Sequence, residues 1–242
     1  MIPTGLTLDH AVLDVGPHFD RTVGALSAAG FNVSPASSHK GMRNRRIYFD
    51  STYLTLLQKL GEAEAAPTPE ASGGVIAVAF KGRELEAMAQ RWQVAGKAAR
   101  EVVEMSREVV LDGAPQTARF RTLDLPEDSL GAIHAFVCYH LTPELLWRPE
   151  WQTHGNGATD LVGIVVAAAD PEAEARKLAR DLAAGEPLMT ADGLKVSGVF
   201  FQPHGEGAVT AKPAPACVAA ALLVAARPKA ASRLPAYRSG SC

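Results

Sequence analysis

Residues 10–33 read HAVLDVGPHFDRTVGALSAAGFNV. A short valine-bearing run comes first, which favours a strand. A helix-period segment follows and stops at Gly30. The same layout returns at residues 75–99, VIAVAFKGRELEAMAQRWQVAGKAA, stopping at Gly96. It returns again at residues 162–188, VGIVVAAADPEAEARKLARDLAAGEPL, stopping at Gly185. In the second copy Leu85, Met88, Ala89 and Trp92 fall on one helical face, and in the third Ala175, Leu178, Ala179 and Leu182 do so. These stripes are core packing. Asp170 suits an N-cap and Pro171 the first helical turn. Gly96 and Gly185 suit the left-handed position that ends a helix.

After each helix the sequence turns strand-like again. Runs 45–49 and 53–58 follow the first helix, and runs 102–105, 109–111, 119–123 and 133–139 the second. Runs 194–202 and 217–225 follow the third. One helix and then several strands predicts an α+β fold rather than a doubly wound parallel sheet. The strands should curl into mixed sheets around a central pocket, with the helices outside. The units are expected at residues 1–60, 74–141 and 158–226, with a C-terminal tail over 227–242. The small, acidic, proline-bearing stretch 61–74 marks a boundary, and 142–157 and the Gly/Pro/Ala-rich stretch 203–216 are further connectors.

At 242 residues and 47% hydrophobic content the chain can bury a core. A net charge of −2 gives no basic face for nucleic acid. The basic residues Arg227, Lys229, Arg233 and Arg238 fall in the polar tail. No segment approaches the ~20 apolar residues of a membrane helix. The start, MIPTGLTLDH, lacks the charged and apolar regions of a signal peptide. Three cysteines without CxxC spacing fit a reducing, cytoplasmic compartment, with Cys138 and Cys217 as small core residues. There is no P-loop, GxGxxG after a strand, GxSxG or HExxH.

The histidines are the chemistry-bearing residues. His10 lies inside the first strand, LDHAVLDV, and His140 ends a strand in IHAFVCYH. His39 precedes a strand, and His154 opens HGNGA before the third unit. A histidine in an apolar strand is either a buried group bonded to backbone or a metal ligand or acid–base group.

LDHAVLDV (8–15), HKGMRNRRIYFDSTYLTLL (39–57), MSREVVLDG (105–113) and FVCYHLTPELLWRPEWQTHGNGA (136–158) together resemble the glyoxalase-like domain of the vicinal oxygen chelate superfamily. The matches run in order from residue 8 to about 170, and the third repeat extends the theme to about 226. The resemblance implies paired βαβββ modules forming a cupped sheet. It implies one divalent metal (Zn, Ni, Fe or Mn), held by ligands from the first and last strands. It also implies a substrate whose adjacent oxygens chelate that metal, which stabilises an enolate-like charge.

Carried over by position, His10 is the first-strand ligand. The expected carboxylate falls on Thr55 in Tyr53-Leu54-Thr55-Leu56, a poor ligand and no base. The first-strand position of the third repeat, about Val162, is no ligand either. His140 and His154 are the remaining metal candidates. His10 and His140 are the catalytic candidates; His39, Asn44, Arg107, Trp147, His154 and Asn156 are the substrate-binding ones. At least one of Arg45 and Arg46 should face solvent, because alternate strand residues face opposite sides. Trp147 and Trp151 either wall a pocket or seal their loop onto the core, and Asn156-Gly157 is also a turn signal.

Three functional classes follow. One is a glyoxalase-like enzyme, an isomerase, lyase or dioxygenase acting on a small oxygenated metabolite. Another is a metal-free protein that binds and sequesters a small molecule. A degenerate homologue kept for packing is the third. Pairing across a sheet edge would make a homodimer.

Overall fold

The computed structural model describes residues 6–39, 41–60, 74–98, 100–191, 193–203 and 220–226. The connectors 61–73 and 204–216, the basic tail, Cys217 and Cys242 lie outside them.

The first unit runs β1 (Thr7–Asp14), a 3-10 turn (Gly16–His18), α1 (Phe19–Ala28), β2 (Ser37–His39), β3 (Met42–Tyr48) and β4 (Tyr53–Lys59). The second runs β5 (Gly74–Lys81), α2 (Leu85–Val94), β6 (Val103–Leu111), β7 (Ala114–Asp124) and β8 (His134–His140). A 3-10 turn (Pro143–Leu145) and α3 (Pro149–Gln152) lead into the third unit: β9 (Ala158–Ala168), α4 (Pro171–Leu182), β10 (Leu188–Thr190), β11 (Gly193–Val196), β12 (Val199–Pro203) and β13 (Ala220–Ala226).

The first two units build one sheet in the order β2-β3-β4-β1-β5-β8-β7-β6, which curls nearly into a barrel. At its centre β1 and β5 pair antiparallel, and each pairs in parallel with the last strand of its own unit. The third unit does not complete this cup. It forms a second sheet, β10-β11-β12-β9-β13, in which β13 pairs antiparallel with β9 just as β5 does with β1.

Two apolar clusters divide the faces. Leu8, Ala11, Leu54, Leu56, Val78 and Phe80 of the first sheet share one core with Leu161, Ile164, Val166, Val199 and Phe201 of the second. Leu85, Met88 and Trp92 of α2 and Leu178 and Leu182 of α4 close that same core. Tyr48, Tyr53, Ala118 and Leu146 form a separate cluster, with Trp147 and Trp151 packed against it. The loop after β8 thus folds back and seals the cup with its two tryptophans.

Locally, Asp170 caps α4 by accepting from Ala173 N–H at 3.0 Å. The helix stops at Ala183 (φ 48°) rather than Gly185, because Ala183 and Ala184 N–H already bond back to Arg180 and Ala179. The two runs 102–105 and 109–111 are one strand, β6. The run 194–202 is instead a hairpin, turning on Ser197 (φ 50°) and Gly198 (φ 89°).

Candidate active site

Neighbouring strand residues face opposite sides, so Asp9 and His10 should not share a face. A bulge in β1 changes this. Leu8 pairs with Phe80 and His10 with Ala79, so Asp9 and His10 together oppose a single residue of β5. Both side chains then lie on the cup side. Cys138 and His140 are alternate residues of β8, which puts them on one face. Between β1 and β8 stands Ala79, opposite His10 on one side and Phe136 on the other. Its short side chain lets Asp9 reach across to His140.

Asp9 Oδ2 accepts from His10 Nδ1 at 2.6 Å and from His140 Nε2 at 2.9 Å. Cys138 Sγ lies 3.5 Å from the same His140 nitrogen. Asp9 is fully buried. Burial pushes its carboxyl pKa up, but the hydrogen bonds and charges of the two histidines outweigh that and hold it well below the usual range. Burial pulls His10 below its ordinary value, against the opposing pull of Asp9. The carboxylate is therefore the anion and His10 the neutral Nδ1–H donor.

Aromatic rings fix this arrangement. His10 stacks on Tyr53 with centroids 4.2 Å apart and meets Phe136 edge-on at 5.5 Å. Trp147 stands edge-on to His140 at 4.9 Å. Burial, then the nearby Asp9, drives the Tyr53 phenol well above its ordinary pKa, so it stays protonated. Burial also pushes the Cys138 thiol up.

Two arginines lie nearby. Arg107 Nη2 reaches Tyr48 Oη at 3.5 Å, and Arg46 Nη1 reaches Ser37 Oγ at 3.3 Å. Burial, then the charge of Arg107, lowers Arg46 to about 10. Asn44 accepts from the same Ser37 hydroxyl at 2.7 Å. Among the described residues Asp9 Oδ1, His140 Nδ1, Trp147 Nε1, Arg46 Nε and Arg107 Nε are buried without a hydrogen-bond partner. Buried polar atoms are rarely left so, and five in one locality mark a place built for a ligand, ion or water. A cleft of ≈ 280 Å³ opens onto Asp9, Cys138 and His140, walled by Trp147 and Pro143 and flanked by Lys81 and Arg83.

His154 is not brought to this centre. Its Nδ1 accepts from Asn32 N–H at 2.9 Å and its Nε2 donates to Tyr48 O at 3.0 Å. Its ring packs edge-on against Phe31 and Phe49. Both nitrogens are committed to backbone, so its partners are other than His10 and His140. Asn156 likewise bonds Ala29 O and Ala158 N–H, which fixes a turn against α1. His39 ends β2, and its side chain lies outside the described residues. Arg45 bonds Ser34 O while Arg46 is the buried member of the pair.

The metal position implied by resemblance does not fit these residues. His10 is the fourth residue of β1 and pairs with Tyr53, the first of β4. Ala77 is the fourth residue of β5 and pairs with His134, the first of β8. The partner of the first-strand position is therefore Ala77 in the second unit, not Val162 in the third. By the same correspondence Phe136 matches Thr55. Of His10, Thr55, Ala77 and Phe136, only the first is a metal-ligand type. Arg46 also pairs with Thr55 across β3–β4, which places a fixed cation beside that position.

Sequence reasoning missed Asp9, Cys138, Tyr53 and Arg46. The i, i+2 spacing of Cys138 and His140 was a usable signal. Asp9 carried none, because only the bulge turns it inward.

Residues 8–182 match the family described as a glyoxalase-like domain. No curated protein matches the chain. Among solved structures it is similar to a hypothetical protein from Staphylococcus aureus (15% identity, 81% of this chain and 84% of that one, TM-score 0.57). A Mn(II)-bound glyoxalase from Novosphingobium aromaticivorans shares 10% identity over 89% of this chain and 64% of that one (TM-score 0.47). Methylmalonyl-CoA epimerase from Mycobacterium tuberculosis shares 15% over 57% of this chain and 91% of that one (TM-score 0.38).

Proposed function

We propose that this chain, which belongs to the glyoxalase-like domain family, acts on a small oxygenated metabolite by proton transfer in the cleft above Asp9 and His140. The observation that carries the reading is a buried carboxylate that lines that cleft and is bonded to two histidines, of which His140 lines the cleft too. Such a carboxylate orients an imidazole and stabilises it when it gains a proton. His140, which lines the cleft, is then the proton carrier for a carbon next to a carbonyl. Lys81 and Arg83 at the rim give negative oxygens a favourable approach. The chemistry is that of an isomerase or lyase. No step is assigned to a metal at the position the family uses, since Thr55, Ala77 and Phe136 do not fit one.

A second reading is sequestration without turnover. The filled cup favours it, because Tyr48 and Tyr53 are buried in the interior beside a cleft of ≈ 280 Å³. Solvent exchange separates the two. The protein is incubated in D2O with a panel of 2-oxo and 2-hydroxy acids, and carbon-bound protons are followed by NMR. The enzyme reading expects deuterium uptake in one of them, reduced by roughly 10²-fold or more in Asp9→Asn and His140→Ala. Saturable binding of a panel member with no uptake in the native protein supports sequestration.

A further inference from the structure

We infer that Asp9, Cys138 and His140 form a divalent transition-metal site, displaced along the strands from the position the family uses. The inference rests on the cleft being the functional site, and it names what supplies positive charge there. One carboxylate, one thiol and one imidazole offer donor atoms that all lie within 4.8 Å of one another. Donors that share an ion at ~2.0–2.3 Å sit roughly 3–3.7 Å apart. The Cys138 Sγ to His140 Nε2 separation of 3.5 Å falls inside that range, and His140 Nε2 to Asp9 Oδ2 at 2.9 Å falls just below it, at hydrogen-bond distance.

Three features argue against ordinary core packing. Cys138 is 3% exposed, and its thiol lies 3.5 Å from a histidine nitrogen. Asp9 Oδ1 and His140 Nδ1 are buried with no partner among the described residues. And all three residues line one cleft. Three protein ligands beneath an open cleft leave a coordination position for water or substrate, the arrangement of a catalytic ion rather than a closed structural one.

The donor set selects the ion. Nitrogen, oxygen and sulfur together suit zinc, cobalt, nickel or iron and not magnesium or calcium, which take oxygen. Charge balances as well. The Asp9 carboxylate and a Cys138 thiolate neutralise a dication, and a neutral cluster is the least costly occupant of a buried place. Binding converts Cys138–SH and M²⁺ into a Cys138–S–M bond and one released proton, while the His140 proton moves from Nε2 to the unpartnered Nδ1 so that Nε2 can ligate. With the ion bound His140 is a ligand, and in the stripped protein it is the proton carrier. His10 contributes no donor to the set and holds the Asp9 carboxylate in place.

Cobalt(II) tests this without any substrate. The full-length protein, stripped with EDTA, is titrated with Co(II) while absorbance and proton release are followed. We expect one equivalent to bind with a near-ultraviolet thiolate-to-cobalt band and about one proton released. Folded Cys138→Ser and Cys138→Ala should lose the band and bind at least about tenfold more weakly. Folded His10→Phe should keep the band. Absence of saturable binding, binding without the band, unchanged affinity in both folded Cys138 variants, or loss of the band in folded His10→Phe would each overturn the proposal. Deuterium exchange in a protein that shows no saturable Co(II) binding would leave the cleft's function standing while the metal site fails.

Discussion

Asp9 and His154 show how much one residue's hydrogen bonds decide. Asp9 gathers two histidines because its carboxylate must be compensated once buried. His154 is held by backbone on both sides of its ring, and burial lowers its pKa from 6.5 against the pull of Tyr48 O. Above pH 6.5 this histidine is neutral folded and unfolded, so its contribution is fully present. As pH falls below that value the unfolded chain takes up the proton and the folded one resists it, so stability declines. His10 shifts in the same direction. The urea midpoint should therefore hold between pH 8 and 7 and fall from about pH 6.5 downward. His154→Ala should cost about 2–4 kcal/mol in urea unfolding, through two unpaired backbone groups and a cavity. It should leave Co(II) binding unchanged; a lost site would return His154 to the metal. From the sequence, His10 and His140 were legible as chemistry-bearing. His154 was grouped with them only by motif, and which face it took depended on contacts with Phe31 and Phe49 far away in the chain.

At the scale of elements, the bulge in β1 and the small residue beside it build the site. Ala79→Val keeps strand propensity but places two methyl groups between His10 and Phe136. We expect Ala79→Val to retain the far-ultraviolet spectrum and lose the Asp9–His140 contact, seen as a drop of about tenfold or more in Co(II) affinity. In the second sheet, a Cβ on Gly163 would meet the Phe200 ring at 2.4 Å and Gly198 O at 2.5 Å. Gly163→Ala should destabilise by about 1–3 kcal/mol, read as a lower melting temperature. The helices and most strands were legible because their apolar spacing is local. The bulge, the Ser197–Gly198 hairpin turn and the early stop at Ala183 were not, because each depends on which strand or helix end lies alongside.

Across the whole molecule, one core joins both sheets, α2 and α4. Trp92 Nε1 donates to Asp181 O at 2.9 Å, and the buried Asp181 carboxylate is paired with Lys97 and accepts from Ser129 at 2.7 Å. These contacts tie the third unit to the second. Unfolding in urea should be a single transition, with tryptophan fluorescence and far-ultraviolet circular dichroism coinciding; two separated transitions would show independent units. The α+β class and the glyoxalase-like resemblance were legible from three repeats and four ordered motifs. The placement of the third unit was not, since repeat spacing says nothing about which face a unit covers. Among the described residues no helix is long and apolar enough to cross a membrane. The central claim is that Asp9 binds both histidines at once. Long-range ¹H–¹⁵N NMR of the imidazoles in EDTA-stripped protein at neutral pH tests it most directly. The expected result is His10 in the Nδ1–H form and a proton on His140 Nε2, with the His10 form lost in Asp9→Asn. A His10 ring in the Nε2–H form in the native protein would contradict it.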